Sequence, residues 1–464
     1  TADNNTAIGK SALAANTTGE LNTAVGVSTL DANTTGARNT ALGEFALSAN
    51  TTASFNTGLG SSSLGLNTTG ASNTAVGHNS LQDNTTGSEN VAIGKSALAN
   101  NTTAGENTAV GQNALLTNTT GAANTALGKS SLASNTTASN NTAIGKSALG
   151  ANTTGIQNVA VGSAALDAGV GASDNTAIGF EALTTETGGQ NNVAIGTRSL
   201  QNQVNSSGNI YNTAVGSNAG QAITTGGQIT ALGGNALKST TTGGANTALG
   251  YAALESNTTA ANNTAVGYSA LTANTTGGTN TALGAEALLR NTTGSDNTAV
   301  GVNPMTDNTT GTNNVAVGKR ALKSNTTASS NTAVGYHSLE ENTTGENNAS
   351  LGATSLTANT TGSSNTAIGM NALRDNTTAS NNTAVGLNSL LVNTTGATNT
   401  AVGGSAMSAN TTGGTNTAIG QSALGSNTTA SNNVAVGFNA LGANTTGGSN
   451  TAVGRLSLDA CTTG

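Results

Sequence analysis

The phrase N-T-A-V-G-x-x-A-L-x-x-N-T-T-G-x-x begins at Asn5, Asn22, Asn39, Asn56 and Asn73 and recurs every seventeen residues to Asn450. The register slips once, by three extra residues within 201–211, and the initial Asn is replaced once, by Ile229. A short unit of fixed period cannot bury a face alone and must stack on its neighbours. Seventeen residues are too few for a helical hairpin repeat, which takes about 33 or more. They suit one coil of a parallel β-solenoid, or β-roll. The expectation is an all-β chain, one continuous solenoid of about 27 coils over residues 1–464, with an irregular stretch near 162–245.

Composition agrees with a thin, repetitive stack. Gly reaches 63 residues, Trp is absent, and aromatic residues are 2%, too few large side chains to fill a thick globular core. Charged residues are 7%, against about 25% in typical soluble domains. The net charge of −7 comes with no basic stripe, and binding nucleic acid takes clustered Lys and Arg to neutralise phosphates. No run of about 18 apolar residues exists to insert in a membrane. The sequence starts and stops inside a repeat, as a piece of something longer would. Its single cysteine, Cys461, forbids an internal disulfide.

Within N-T-A-V-G, side chains alternate between two faces. Thr6 and Ile8 share one face and Ala7 takes the other. At the Thr position Val91, Val159, Val193, Val315 and Val434 substitute freely. An exchange that keeps shape and drops the hydroxyl reads as an inward column. The fourth position is always Val, Ile or Leu. The ninth is Leu except at Met305, Met407 and Gly220. Together these form the expected interior. The third and eighth positions, Ala or Ser nearly throughout, are then expected to face outward. Small outward side chains let two backbones lie close, so Ala7, Ala24, Ala41, Ala12 and Ala46 are the expected contacts between chains. The fifth position is Gly in every coil, which implies a positive φ or a close backbone approach at a corner.

Two polar features repeat in register. Stacked coils place Asn over Asn about 4.8 Å apart, so side-chain amides can bond from coil to coil as an Asn ladder. N-T-T is also the N-glycosylation acceptor pattern, which Asn16, Asn33, Asn50, Asn67 and Asn84 fit. These residues are either ladder members or glycan acceptors. The two histidines, His78 and His337, lie many coils apart and read as solvent-facing variable residues. No nucleophile–base set, metal-ligand spacing or phosphate loop stands out, so no enzyme activity and no cofactor is expected.

The phrase N-T-A-V-G-x-x-A-L-x-x-N-T-T-G resembles two related groups. One is the head repeats of trimeric autotransporter adhesins, where a shorter V-A-I-G unit forms a left-handed parallel β-roll. The other is the long N-T-A-V-G-Y-x-A-L repeat proteins that often end in an endosialidase-type intramolecular chaperone, as in phage tail fibres. The second resemblance covers essentially the whole chain. Both imply a left-handed homotrimer, extracellular, on a cell surface or on a virion, used for attachment or as a shaft. The expected function is therefore structural: a fibre or stalk that spaces or forms filaments, with itself as partner and a host surface or glycans as possible targets. The alternatives are a single-chain filament coated with glycans and an ice- or surface-binding solenoid. The last needs Thr residues pointing outward at alternate strand positions.

Overall fold

The computed structural model describes residues 2–463. Among them there is no helix. Every regular element is a strand of three residues, twenty-seven in chain order from β1 (Thr6–Ile8) to β27 (Thr451–Val453). The chain divides into two compact units, Thr1–Ala231 and Leu232–Gly464. In the first, consecutive strands from β1 up to β13 (Thr213–Val215) pair in parallel, as in Thr6↔Thr23, Ala7↔Ala24 and Ile8↔Val25. In the second, the same holds from β15 (Thr247–Leu249) to β27. β14 (Thr230–Leu232) lies where one unit gives way to the other. Each seventeen-residue phrase is thus one coil of a parallel β-solenoid. The three extra residues of 201–211 loop out without shifting the pairing, since Val193 still meets Thr213.

The strands are short because glycine ends each one. The corner glycines hold φ in the positive range, 130° at Gly9 and 142° at Gly352, where L side chains are strained. A Cβ built on Gly43 would also sit 2.6 Å from the Gly60 carbonyl carbon. Both expected reasons for the glycine therefore hold at once.

Three further positions per coil take the left-handed conformation without being glycine, for example Ser28 (φ 49°), Leu30 (φ 51°) and Arg38 (φ 57°). Each costs about 1–2 kcal/mol. The offset is visible in the ladder. Ser28 N donates to Lys10 O at 2.9 Å, Leu30 N to Ala46 O at 3.1 Å, and Arg38 N to Glu20 O at 2.9 Å. The reversed backbone aims amides along the stack, so hydrogen bonding runs through the turns as well as the strands.

The faces of the strand are the reverse of the expectation. Ala24 and Ala41 at the third position, and Ala46 at the eighth, are fully enclosed within their own chain. They cannot be contacts between chains. Ala7 is exposed and Ala12 half-buried in the first described coil, whereas their counterparts in the next coils are enclosed. The strand Thr and the Val, Ile or Leu at the fourth position point outward instead. The ninth-position Leu does lie inside, as at Leu30, Leu47 and Leu64. The physical reason is width. One Leu per coil already fills the interior, and the opposing strand has room only for a methyl group or a hydroxymethyl.

Exceptions inside the coil support this reading. Ser350 replaces an inward Ala and bonds Ser338 Oγ at 2.8 Å and Ser355 Oγ, so a buried hydroxyl finds partners. Gly220 replaces an inward Leu, and Ile223 grows into the vacated space. A Cβ on Gly220 would lie 2.7 Å from Ile223 Cδ1.

Candidate interaction faces

Outside the corner and the core, the coil presents a few columns of side chains. The first is the strand face itself. Its second position is Thr, or Val at the five places named above, with Ala349 as a further exception; its fourth is Val, Ile or Leu. Neither carries a charge in any coil. The larger fourth-position side chains are well exposed, Ile8 by 60%, Leu42 by 50% and Leu351 by 50%. Among the described residues the strand threonine hydroxyls make no hydrogen bond within the chain, so they are open to water or a partner. The result is a two-column array, hydroxyl and methyl beside branched aliphatic, repeated once per coil. Apolar surface extending beyond a few hundred Å² commonly marks an interaction site.

Sequence reasoning assigned this face to the interior. The second and fourth positions and the third and eighth are all free of charge, so charge could not choose between them. The usable signal was size. The third and eighth positions hold almost only Ala and Ser, a limit that an outer surface has no reason to impose.

The asparagines are internal. Asn33, Asn50, Asn67 and Asn84 are fully enclosed, and Asn16 is half-buried in the open first coil. Asn33 Nδ2 donates to Asn16 Oδ1 at 2.9 Å and to its own Gly36 O at 3.0 Å. Asn50 Nδ2 repeats this to Asn33 Oδ1 at 2.9 Å. A second ladder runs through the first position. Asn39 N donates to Asn22 Oδ1 at 2.9 Å, and Asn22 Nδ2 reaches Gly36 O at 2.9 Å. Both amides of a coil thus converge on one turn carbonyl. An enclosed amide nitrogen has no room for a glycan.

The turn ladder changes composition over five coils, at Gly169, Glu186, Gln203, Ile223 and Thr240. Glu186 is fully buried. Its Oε1 accepts the amides of Thr187 (2.9 Å), Gly188 (3.1 Å), Gly189 (2.7 Å) and Asn205 (3.1 Å). Its Oε2 accepts Gln203 Nε2 at 2.8 Å and Asn205 Nδ2 at 3.3 Å. A buried carboxylate is costly unless fully hydrogen-bonded, and this one is. It anchors the start of the looped-out insert, since Asn205 lies there. Asn257 Nδ2 then bonds Thr240 Oγ1 at 3.2 Å, and Asn274 resumes the ladder.

Elsewhere His78 is exposed, whereas His337 is half-buried with Nδ1 against Glu340, which also binds Arg320 at 2.7 Å. Among the described residues there is no pocket and no group of three or more His, Cys, Asp or Glu side chains placed to share a metal ion. No protein-family model matches the chain, and comparison with curated proteins finds no match.

Proposed function

We propose that this chain is a structural shaft, an extracellular fibre or stalk segment on a cell surface or virion, whose copies pack side by side through the outward T-x-(V/I/L) face. The observation that carries the reading is that uncharged face, which displays branched aliphatic side chains in every described coil. Water tolerates scattered apolar residues, but a continuous column of them favours association, at about 25 cal/mol per Å² of apolar surface covered. A partner that covers a column of this period must share the period, and another copy does. The resemblance of the repeat to adhesin heads and tail-fibre shafts supports three copies and a left-handed coil. The contact face differs from that first expected: strand Thr and Val, not Ala, meet the neighbour. Light scattering tests this on the full chain. A mass three times that of the 44.4 kDa chain is expected, and a monomeric mass overturns it.

A second reading is favoured by one specific observation. The strand threonines point outward, as an ice- or crystal-surface binder requires, in a regular array whose hydroxyls are unpaired. It competes for the same face, so it requires that face to be free in solution. Thermal hysteresis in a monomeric sample supports it; a trimer without hysteresis removes it. The glycan-coated filament has less support, because its acceptor asparagines are enclosed.

A further inference from the structure

The residue after the corner glycine, the sixth of the coil, is exposed or half-buried in both units, but its chemistry differs between them. In the first unit this column carries Lys10, Glu44, His78, Lys95, Lys129 and Lys146, with few apolar residues. In the second it carries Tyr251, Tyr268, Tyr336, Met370, Leu387 and Phe438, with Lys319 as the sole charge between Tyr251 and Phe438. All six of these side chains are exposed, Tyr251 by 55% and Tyr268 by 58%. The two rings stack on each other at 5.9 Å between centroids. The column flanks the fourth-position column across the corner glycine, so in the second unit the outward apolar surface is wider by one column.

We infer that this sixth-position column of residues 232–464 is an extension of the contact between copies, and that its occupant is a second copy of this chain. The inference rests on the side-by-side assembly proposed above and deepens it. Three observations favour a second copy over an unrelated partner. The column is continuous with the strand face already assigned to that contact. Its aromatic and aliphatic side chains recur at multiples of the coil period, broken at Lys319, Gly404, Gln421 and Arg455, so their cover must share that period. In the first unit the same column holds four lysines, and bringing identical columns together there would set like charges side by side. Contact along this column therefore belongs to the second unit, and the first keeps its lysines in water.

The test uses the full chain and two paired variants at positions of this column that are exposed or, at Ser163, half-buried. Met370→Lys with Leu387→Lys places charge in the second-unit column. Gln112→Lys with Ser163→Lys does the same in the first. Dilution followed by light scattering gives the dissociation constant of each. The second-unit variant is expected to weaken assembly about tenfold or more, and the first-unit variant to leave it unchanged. The chain lacks Trp, so tyrosine emission gives an independent signal. Three of its four tyrosines lie in the second-unit column and the fourth, Tyr211, lies outside it. Acrylamide quenching is expected to rise on dilution. An assembled wild type with equal dissociation constants for both variants overturns the inference and leaves the shaft reading standing. A monomeric wild type overturns both.

Discussion

The coils before Gly169 and the coils from Gly169 to Thr240 make the same solenoid with different interiors. In the first region an unbroken ladder of turn asparagines runs from Asn16 to Asn152. In the second that ladder is replaced by a glycine, a carboxylate, an amide, an isoleucine and a hydroxyl in turn. The strands keep their register from the first region into the second as far as Thr213–Val215. What stays constant is the corner glycine and the small inward residue at the third position. The coil is therefore set by steric demands of the backbone. Its polar ladder can change where the buried donors and acceptors around the change find new partners, as they do at Glu186.

That comparison is open to attack, starting with the largest effect. Replacing a corner glycine by Ala is expected to cost more than about 3 kcal/mol in either region. The added Cβ meets a carbonyl oxygen at 2.6 Å in Gly128→Ala and at 2.5 Å in Gly179→Ala. Urea denaturation measures both, and a mild effect in one region alone breaks the claim that the corner is common to both. Glu186→Ala comes next, at about 3 kcal/mol, because it strands buried amides that a charge had satisfied. The insert should also become the first site of proteolysis. Asn135→Ala in the regular region is expected to cost about 1–3 kcal/mol. It leaves Asn118 Oδ1 without its 2.7 Å donor, and protection of nearby amides from hydrogen exchange should fall over the adjoining coils.

Asp167→Asn is the smallest and has the opposite sign. Burial raises the Asp167 carboxyl above its ordinary 3.8, and a hydrogen bond from the Gly150 backbone offsets this only in part. Between 3.8 and the raised folded value, the folded chain holds a proton that the unfolded chain has lost. Stability therefore falls as pH rises through that window. Above it Asp167 is a constant small burden, so Asp167→Asn should raise the thermal midpoint slightly at neutral pH. The gain should fade as pH drops through the window.

Much of this coil was legible in the sequence: its period, its corner, its inward leucine and its stacked amides. Each of these has a mechanism that acts within one or two neighbouring coils. The orientation of the strand was not legible. Alternation establishes two faces without saying which is enclosed, and β-branched residues suit a strand on either side. The Val-for-Thr exchange at Val91 or Val434 fits a wet surface as well as a core. Deciding between them needed the width of the interior, which depends on how far Leu30 or Leu47 reaches across. The left-handed conformations of Ser28 and Leu30 also left no trace, because only glycine announces a positive φ by its identity. Glu186 stood out as a break in pattern. Its role depends on six backbone and side-chain donors, from Thr187 to Gly189 and from Gln203 and Asn205, that come together only in the folded chain.

Nearly every side-chain bond of the ladders stays within one coil or joins a residue to its counterpart seventeen positions away, and reaches nothing further. Excising one whole phrase would bring together ends that already match, whereas losing a single residue would distort the coil it falls in. A gene for such a chain can lengthen or shorten by recombination between its own repeats and still encode a folded product. Reach becomes a heritable quantity adjustable in whole steps, with each step about 4.8 Å.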